Sequence, residues 1–259
     1  MGKICCVCFL FLFSTILTAC RGVNGNSCVP VEHQANPGGP KPVLLFTGTG
    51  TSPCDVVAIE ATLDSIHLNY ATLNSAQLNA LTESQLAGYR LLLMPGGNFI
   101  DIGKGLTATT AANIHNAVHN GLNYLGICAG GFLAGKSAYY NGFDLASSVT
   151  FGFYSAEEKN IRKAAVPITL ASGTKMDQYW QDGPQFTGWG SVIAKYPDGN
   201  AAIVEGMLGT GRIILTGIHA EAPENWRAGM SFGTSAGDDN AYAEKLIRAA
   251  MQGSSLPHY

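Results

Sequence analysis

Three short stretches of the chain set reactive side chains beside glycines that would expose them. The first is Gly126-Ile127-Cys128-Ala129-Gly130-Gly131, a cysteine between glycines that follows the apolar run 122–125 and precedes the helix-forming run 132–138. A strand, a tight turn and a helix in that order make G-x-C-x-G the cysteine counterpart of a serine nucleophile elbow, in which a strained turn pushes the nucleophile into a cleft. The positive end of the following helix favours an anion at Cys128, and the Ala129 N–H points where an oxyanion would develop. The second stretch, Met94-Pro95-Gly96-Gly97, follows the apolar run 91–93, so Gly96 or Gly97 could supply a second oxyanion donor at a strand end. The third, Gly217-Ile218-His219-Ala220-Glu221, follows the strand-like run 212–216. It pairs an imidazole that can take a thiol proton with a carboxylate that can orient it. Each group has a plainer reading: a cysteine in a glycine turn is commonly a small core residue, and a lone histidine a satisfied loop residue. The catalytic reading rests on all three falling at strand ends of one domain.

These stretches need a sheet to bring them together, and the rest of the chain supplies its pattern. Strands are expected at 43–47, 69–73 and 89–94, with a helix at 54–66 and helical or irregular chain at 75–87. Next come a glycine-punctuated loop at 98–106 and a helix at 109–120 beneath the elbow strand. Such βαβ alternation predicts an α/β domain built on a doubly wound, mostly parallel sheet. Residues 149–210 change rhythm, with short runs at 166–170, 191–196 and 201–204 separated by Gly, Asp and Pro turns. They read as antiparallel β-hairpins inserted before the last strand. A closing helix at 238–250 would be capped by Asp238 or Asp239. The loop Gly48-Thr49-Gly50-Thr51-Ser52 lacks both G-x-G-x-x-G and a P-loop lysine, so it reads as a cleft loop rather than a phosphate cradle. Gly50, Thr51 and Ser52, with Asn98 and Gly130, are the expected substrate contacts. His115 and His119 stand at i, i+4, but no third ligand accompanies them, so they read as a solvated helix face. Tyr179, Trp180, Asp182 and Trp189 lie in the hairpin region as candidates for substrate discrimination, although such aromatics more often pack in a core.

The segments Phe46-Thr47-Gly48-Thr49-Gly50-Thr51-Ser52, Met94-Pro95-Gly96-Gly97, Gly126-Ile127-Cys128-Ala129-Gly130-Gly131 and Gly217-Ile218-His219-Ala220-Glu221 resemble the class I glutamine amidotransferase-like superfamily. Within it the chain is most similar to the N-terminal domain of biotin-protein ligases and its free-standing bacterial relatives, over roughly 42–250. The resemblance implies a flavodoxin-like sheet and a catalytic triad of Cys128, His219 and Glu221, with an oxyanion hole from Gly96, Gly97 and Ala129. It also implies that Tyr140, in Tyr139-Tyr140-Asn141-Gly142, walls the pocket. One departure is Ala220, where amidotransferases commonly carry a proline. No cofactor and no metal is implied. The chain has no Gly-Arg-Gly-Arg adenylate-binding segment, so biotin ligation is not expected of these residues.

Residues 1–19 carry Lys3 and then an almost unbroken apolar run, which reads as a secretory signal. It ends in Leu17-Thr18-Ala19-Cys20, which resembles a bacterial lipobox with Cys20 as the lipidated residue. The expected location is therefore the bacterial cell envelope, lipid-anchored at the periplasmic face of the outer membrane, with membrane contact through the lipid alone. Residues 20–41 are rich in Gly, Asn and Pro and read as a flexible tether, leaving 42–252 as a single domain. A net charge of −3 offers no basic patch, so nucleic acid is not an expected partner. Of seven cysteines, four fall at or before Cys20, and Cys28, Cys54 and Cys128 remain. An oxidising compartment would permit a Cys28–Cys54 bridge and leave Cys128 free. The expected function is a lipid-anchored, amidase-like cysteine hydrolase acting on a small-molecule or peptide carbonyl. The alternative is a non-catalytic small-molecule or peptide binding module on the same fold.

Overall fold

Four short runs in which every residue is buried form the centre of the molecule: β1 (Val43–Phe46), β3 (Leu91–Met94), β4 (Asn123–Ile127) and, apart from Arg212, β11 (Gly211–Thr216). Unbroken apolar runs suit strands covered on both faces, since no side of such a strand tolerates water. The computed structural model describes residues 28–36, 39, 41–155 and 163–259. Between and beyond the central strands come α1 (Pro53–Ser65), β2 (Tyr70–Leu73), α2 (Ser75–Asn79), α3 (Glu83–Leu86), α4 (Phe99–Gly105), α5 (Ala108–His119) and α6 (Ala129–Leu133). The remaining strands are β5 (Gly152–Phe153), β6 (Ala164–Leu170), β7 (Lys175–Trp180), β8 (Pro184–Gln185), β9 (Ser191–Lys195) and β10 (Ala201–Leu208), and α7 (Ala236–Gln252) closes the domain.

The main sheet runs β2-β1-β3-β4-β11-β10-β9-β6-β7, parallel from β2 to β11 and antiparallel beyond. This is the α/β doubly wound architecture expected, with the hairpin insertion before the last parallel strand. One face is covered by α1 and α7 through Val56, Ile59, Leu63, Tyr242, Leu246 and Ile247, and the other by α4, α5 and α6 through Ile102, Ile114, Val118 and Phe132. Register then decides what meets at the edge. Met94 pairs with Gly126, and Thr216 with Ile127, so β3, β4 and β11 end level with one another. Their loops, holding Gly96, Cys128 and His219, emerge side by side at the carboxyl edge, where ligands bind in open parallel sheets.

Several local expectations are corrected. The loop expected at 98–106 is largely helix α4, because Asn98 caps it by accepting from the Ile100 and Asp101 N–H groups and Ile102 is buried beneath it. The elbow helix begins at Ala129 and is complete by Leu133, instead of spanning 132–138. The closing helix is capped by Ser235, whose Oγ accepts from the Asp238 N–H at 3.1 Å, and not by Asp238 or Asp239. The hairpin region holds a strand that its pattern did not reveal, β7, whose residues alternate less clearly than those of its partner β6. The solvated face expected of His115 and His119 holds for the exposed His119, whose Nδ1 is 3.3 Å from Asn120 Oδ1, while His115 is half-buried with its Nδ1 3.0 Å from Phe143 O.

The tether expected over 20–41 gives way to docked chain at 28–36. Cys28 forms a disulfide with Cys54, and the Val31 N–H reaches the Glu60 carboxylate at 3.3 Å. His33 donates its N–H to Thr72 Oγ1 at 2.8 Å and accepts the Thr72 N–H at 3.0 Å, adding a short pairing outside β2. A cross-link over a sequence separation of 26 removes about 3 kcal/mol of unfolded-chain entropy, enough to hold a segment with few apolar anchors. Cys20 and the rest of 1–27 lie outside the described residues. Among the described residues, no helix is long and apolar enough to cross a membrane.

Candidate active site

Cys128 sits between β4 and α6 with φ +49° and ψ −102°, a sparsely populated conformation for a residue with a side chain. Its N–H is held by Thr216 O at 2.8 Å, which ties the elbow to the end of β11. The thiol is the free one of the three described cysteines. Its sulfur lies 3.7 Å from Gln181 O and faces a cleft of about 790 Å³. Among the described residues, no hydrogen bond engages the N–H of Ala129 or of Gly97. Ala129 is the first residue of α6, so its N–H is one of those a helix start leaves free. Gly97, at φ +140°, bridges Thr51 through its neighbours alone: Asn98 N–H donates to Gly50 O and Ser52 N–H to Gly96 O. A Cβ at Gly97 would stand 2.2 Å from Gly50 O, so only glycine fits where the loop after β3 meets the loop after β1.

Gly96 is corrected as an oxyanion donor, because its N–H is already bonded to Asp55 Oδ2. Asp55 was not legible as a site residue. Following Ser52 and Pro53 at the start of α1, it reads as an ordinary acidic first-turn residue, and nothing local shows that it faces the site. The helix carries it beneath the imidazole, where it is 1% exposed. His219 Nδ1 lies 2.7 Å from Glu221 Oε1 and 3.2 Å from Asp55 Oδ1, so two carboxylates share one ring nitrogen. That assigns the ring proton to Nδ1 and leaves Nε2 for the cleft that Cys128 lines. The His219 N–H donates to Tyr179 O at 2.8 Å, pinning the loop after β11 to β7. Tyr179 and Trp226 set their rings 5.9 and 6.0 Å from the imidazole centre.

The charges follow from this burial. Burial alone would lower the His219 value, but the charges of Glu221, Cys128 and Asp55 and the Asp55 hydrogen bond outweigh it, so the imidazole is held well above the usual histidine range. Burial and then the Asp55 charge push Glu221 up to about 7 against the opposing pull of His219. Asp55 also resists burial: the His219 bond and charge, with bonds from Glu221 and Gly96, hold it below the usual aspartate value. The arrangement therefore favours the charged form of His219 and of Asp55 and the neutral form of Glu221. One ligand atom from each of the three residues lies within 4.8 Å of the others, a set with the donors to hold a metal ion. Here the same atoms satisfy one another by hydrogen bonds.

The other expected contacts divide. Ser52 and Asn98 line the cleft, each also capping a helix. Gly50 and Thr51 are not among the lining residues; Gly50 O accepts the Asn98 N–H at 2.8 Å and the Thr51 N–H donates to Gly48 O at 3.2 Å. Gly130 is buried, donating to Pro95 O at 3.2 Å and accepting from Tyr124 Oη at 2.7 Å, so it packs α6 onto the sheet and touches no cleft space. Tyr140 is likewise displaced from the pocket wall, its ring lying edge-on behind Phe99 at 5.3 Å. Of the hairpin candidates, Tyr179 and Asp182 line the cleft and Trp180 and Trp189 do not. Phe99, Phe132, Phe153 and Trp226 line it unexpectedly. Each reads as a core or surface aromatic in its own segment.

Comparison with known proteins bears on the fold. Residues 41–156 match the family described as "Biotin-protein ligase, N terminal". The biotin–protein ligase of Schizosaccharomyces pombe is 26% identical over an alignment that covers 69% of this chain and 33% of the ligase. The chain thus spans about a third of that relative's length. A glutamine amidotransferase crystal structure superposes with a TM-score of 0.55 at 16% identity, covering 80% of this chain and 98% of that one, so the fold is shared.

Proposed function

With a class I glutamine amidotransferase-like fold and a segment of the biotin-protein ligase N-terminal type as the premise, we propose that the chain is an amidase-like cysteine hydrolase. The observation that carries the reading is the strained, free Cys128 facing the same cleft as a histidine braced by two buried carboxylates. In the reaction, Cys128 Sγ attacks the carbonyl carbon and the C=O pair moves onto oxygen. The Gly97 and Ala129 N–H groups receive it, each such donor being worth on the order of 3 kcal/mol in a transition state. Collapse breaks the C–N bond while His219 Nε2 gives its proton to the departing nitrogen. Water then attacks the thioester, His219 takes its proton, and the C–S bond breaks to release the acid and restore the thiolate. Asp55 and Glu221 hold the ring and balance its charge throughout.

The test begins with the thiol. Iodoacetamide is expected to alkylate Cys128 in folded protein at neutral pH, and His219→Asn to slow that labelling at least about fivefold by removing the paired imidazolium. Mass spectrometry of the peptide containing residues 126–131 reads both. If Cys128 stays unmodified until the protein is denatured, it is a packed residue and a binding module replaces the enzyme.

The proposal includes attachment to the cell envelope through a lipid on Cys20, on the strength of Leu17-Thr18-Ala19-Cys20. Wild-type protein is expected to fractionate with membranes and take up labelled palmitate, and Cys20→Ser to do neither. Equal palmitate incorporation by the two would overturn it.

A further inference from the structure

We propose that the cleft takes a neutral carboxamide with an aromatic acyl group, seated on a shelf formed by Phe99, Phe132 and Phe153, in preference to a zwitterionic amide such as glutamine. This rests on the amidase reading above and names its substrate class. The three rings are in contact, with Phe132, 3% exposed, backing the more exposed Phe99 and Phe153. Phe99 stacks on Phe132 with centroids 4.3 Å apart, and Phe153 lies 4.8 Å from Phe132 and 5.8 Å from Phe99. Phe153 is 41% exposed and the neighbouring Ile100 is 37% exposed, and both line the cleft. Holding large apolar side chains partly in water is costly unless a ligand covers them, so adjacent exposed apolar groups mark a binding surface.

The shelf is tied to the reacting atoms through the chain. Phe99 lies two residues beyond Gly97, and Phe132 three residues beyond Ala129. On α6 that step rises about 4.5 Å, a little under one turn. A carbonyl oxygen held by the Gly97 and Ala129 N–H groups therefore has its acyl chain within a phenyl group's reach of the rings. Tyr179 and Trp226 stand beside His219 instead, next to the departing nitrogen. Offset or edge contacts among rings at these separations favour a flat apolar group over a branched polar one.

Charge points the same way. Outside the catalytic group, the charged side chains among the described residues lining the cleft are Lys163 and Asp182, of opposite sign. Lys163 is exposed, and a solvated ammonium gives little net binding energy. Among the described residues, a zwitterionic α-amino acid would find its charged partners in these two side chains, and the part of it set against the phenylalanine shelf would lose hydration.

Binding separates this inference from turnover. Calorimetric titration of Cys128→Ala with 3-phenylpropionamide, acetamide and glutamine is expected to show the aryl amide bound at least about tenfold tighter than the other two, the order expected for covering a phenyl group. Adding Phe153→Ala should bring that ratio within about threefold, and because Phe153 is exposed the fold survives the change. Glutamine binding as tightly as the aryl amide, no saturable binding of the aryl amide, or a ratio unmoved by Phe153→Ala would each overturn the shelf. Ammonia release by the wild-type protein is followed in parallel. Selective aryl amide binding with no ammonia from any amide overturns the amidase reading and leaves the shelf, whereas release fastest from glutamine overturns the shelf and leaves the amidase.

Discussion

Cys128→Ala is expected to abolish amide turnover, a loss of roughly 10⁴–10⁶-fold, and His219→Asn to cost nearly as much, while Glu221→Gln and Asp55→Asn each cost only about 10–10²-fold. On the proposed mechanism Cys128 and His219 have no substitute among the described residues that line the cleft. The carboxylates do, because Asp55 Oδ1 and Glu221 Oε1 both face His219 Nδ1 at 3.2 and 2.7 Å. Where a single acid orients the histidine, its loss costs roughly 10⁴-fold, largely through the wrong tautomer. With two, the survivor keeps the proton on Nδ1, so the full cost of about 10⁴-fold appears only in the double variant Asp55→Asn, Glu221→Gln. Steady-state kinetics of the five variants decides the matter: if Glu221→Gln alone matches His219→Asn, Asp55 gives no backup and the shared arrangement is wrong. The two single variants differ in another way.

Burial and the Asp55 charge push Glu221 up to about 7 in the fold from an ordinary 4.5, so its protonated form favours the folded state. That contribution is complete below about pH 4.5 and is lost as pH rises through about 7. His219, also raised, has the same sign, and Asp55, lowered, has the opposite one, its contribution being lost only in acid. Between pH 5 and 8 the melting temperature of Glu221→Gln should therefore fall less than that of wild type.

Gly130→Ala is expected to lower the unfolding free energy by about 3 kcal/mol, at the upper end of overpacking costs, and to remove activity in whatever protein still folds. A Cβ there would stand 2.2 Å from Met94 O and 2.9 Å from Met94 C and Cβ. These atoms belong to a buried central strand, which cannot yield as the end of a flexible side chain would. Relief requires α6 to lift from β3, which separates the Ala129 N–H from the Gly97 N–H and breaks the Gly130 bond to Pro95 O. Gly152→Ala is the control, since a Cβ at Gly152 meets nothing within 4 Å, and it should stay within about 0.5 kcal/mol of wild type. Urea unfolding of both variants would refute this account of the elbow if the two midpoints moved equally.

The parallel core and its elbow are legible in the chain because their physical causes are local. Strands buried on both faces must be continuously apolar, as Leu91-Leu92-Leu93-Met94 is, and a nucleophile in a strained turn needs small residues around it, as Cys128 has in Gly126, Gly130 and Gly131. His219 and Glu221 are legible for a similar reason, since two residues of separation at a strand end suffice to place them together. The Cys28–Cys54 bridge was open to counting but needed the docking of residues 28–36 beside α1 to become a contact.

What tertiary structure alone decided lies between residues far apart in sequence. Asp55 stands 164 residues from His219, and its local signature is that of a helix start, so only the packing of α1 against the ends of β3 and β11 turns it into a partner of the imidazole. The same carboxylate takes the Gly96 N–H, leaving Gly97 as the donor available on the oxyanion strand. Phe99, Phe132 and Phe153 come from three segments, each consistent with ordinary core packing. One-dimensional pattern reports which face of an element avoids water, whereas a site is defined by which faces are left unmatched once the elements have met.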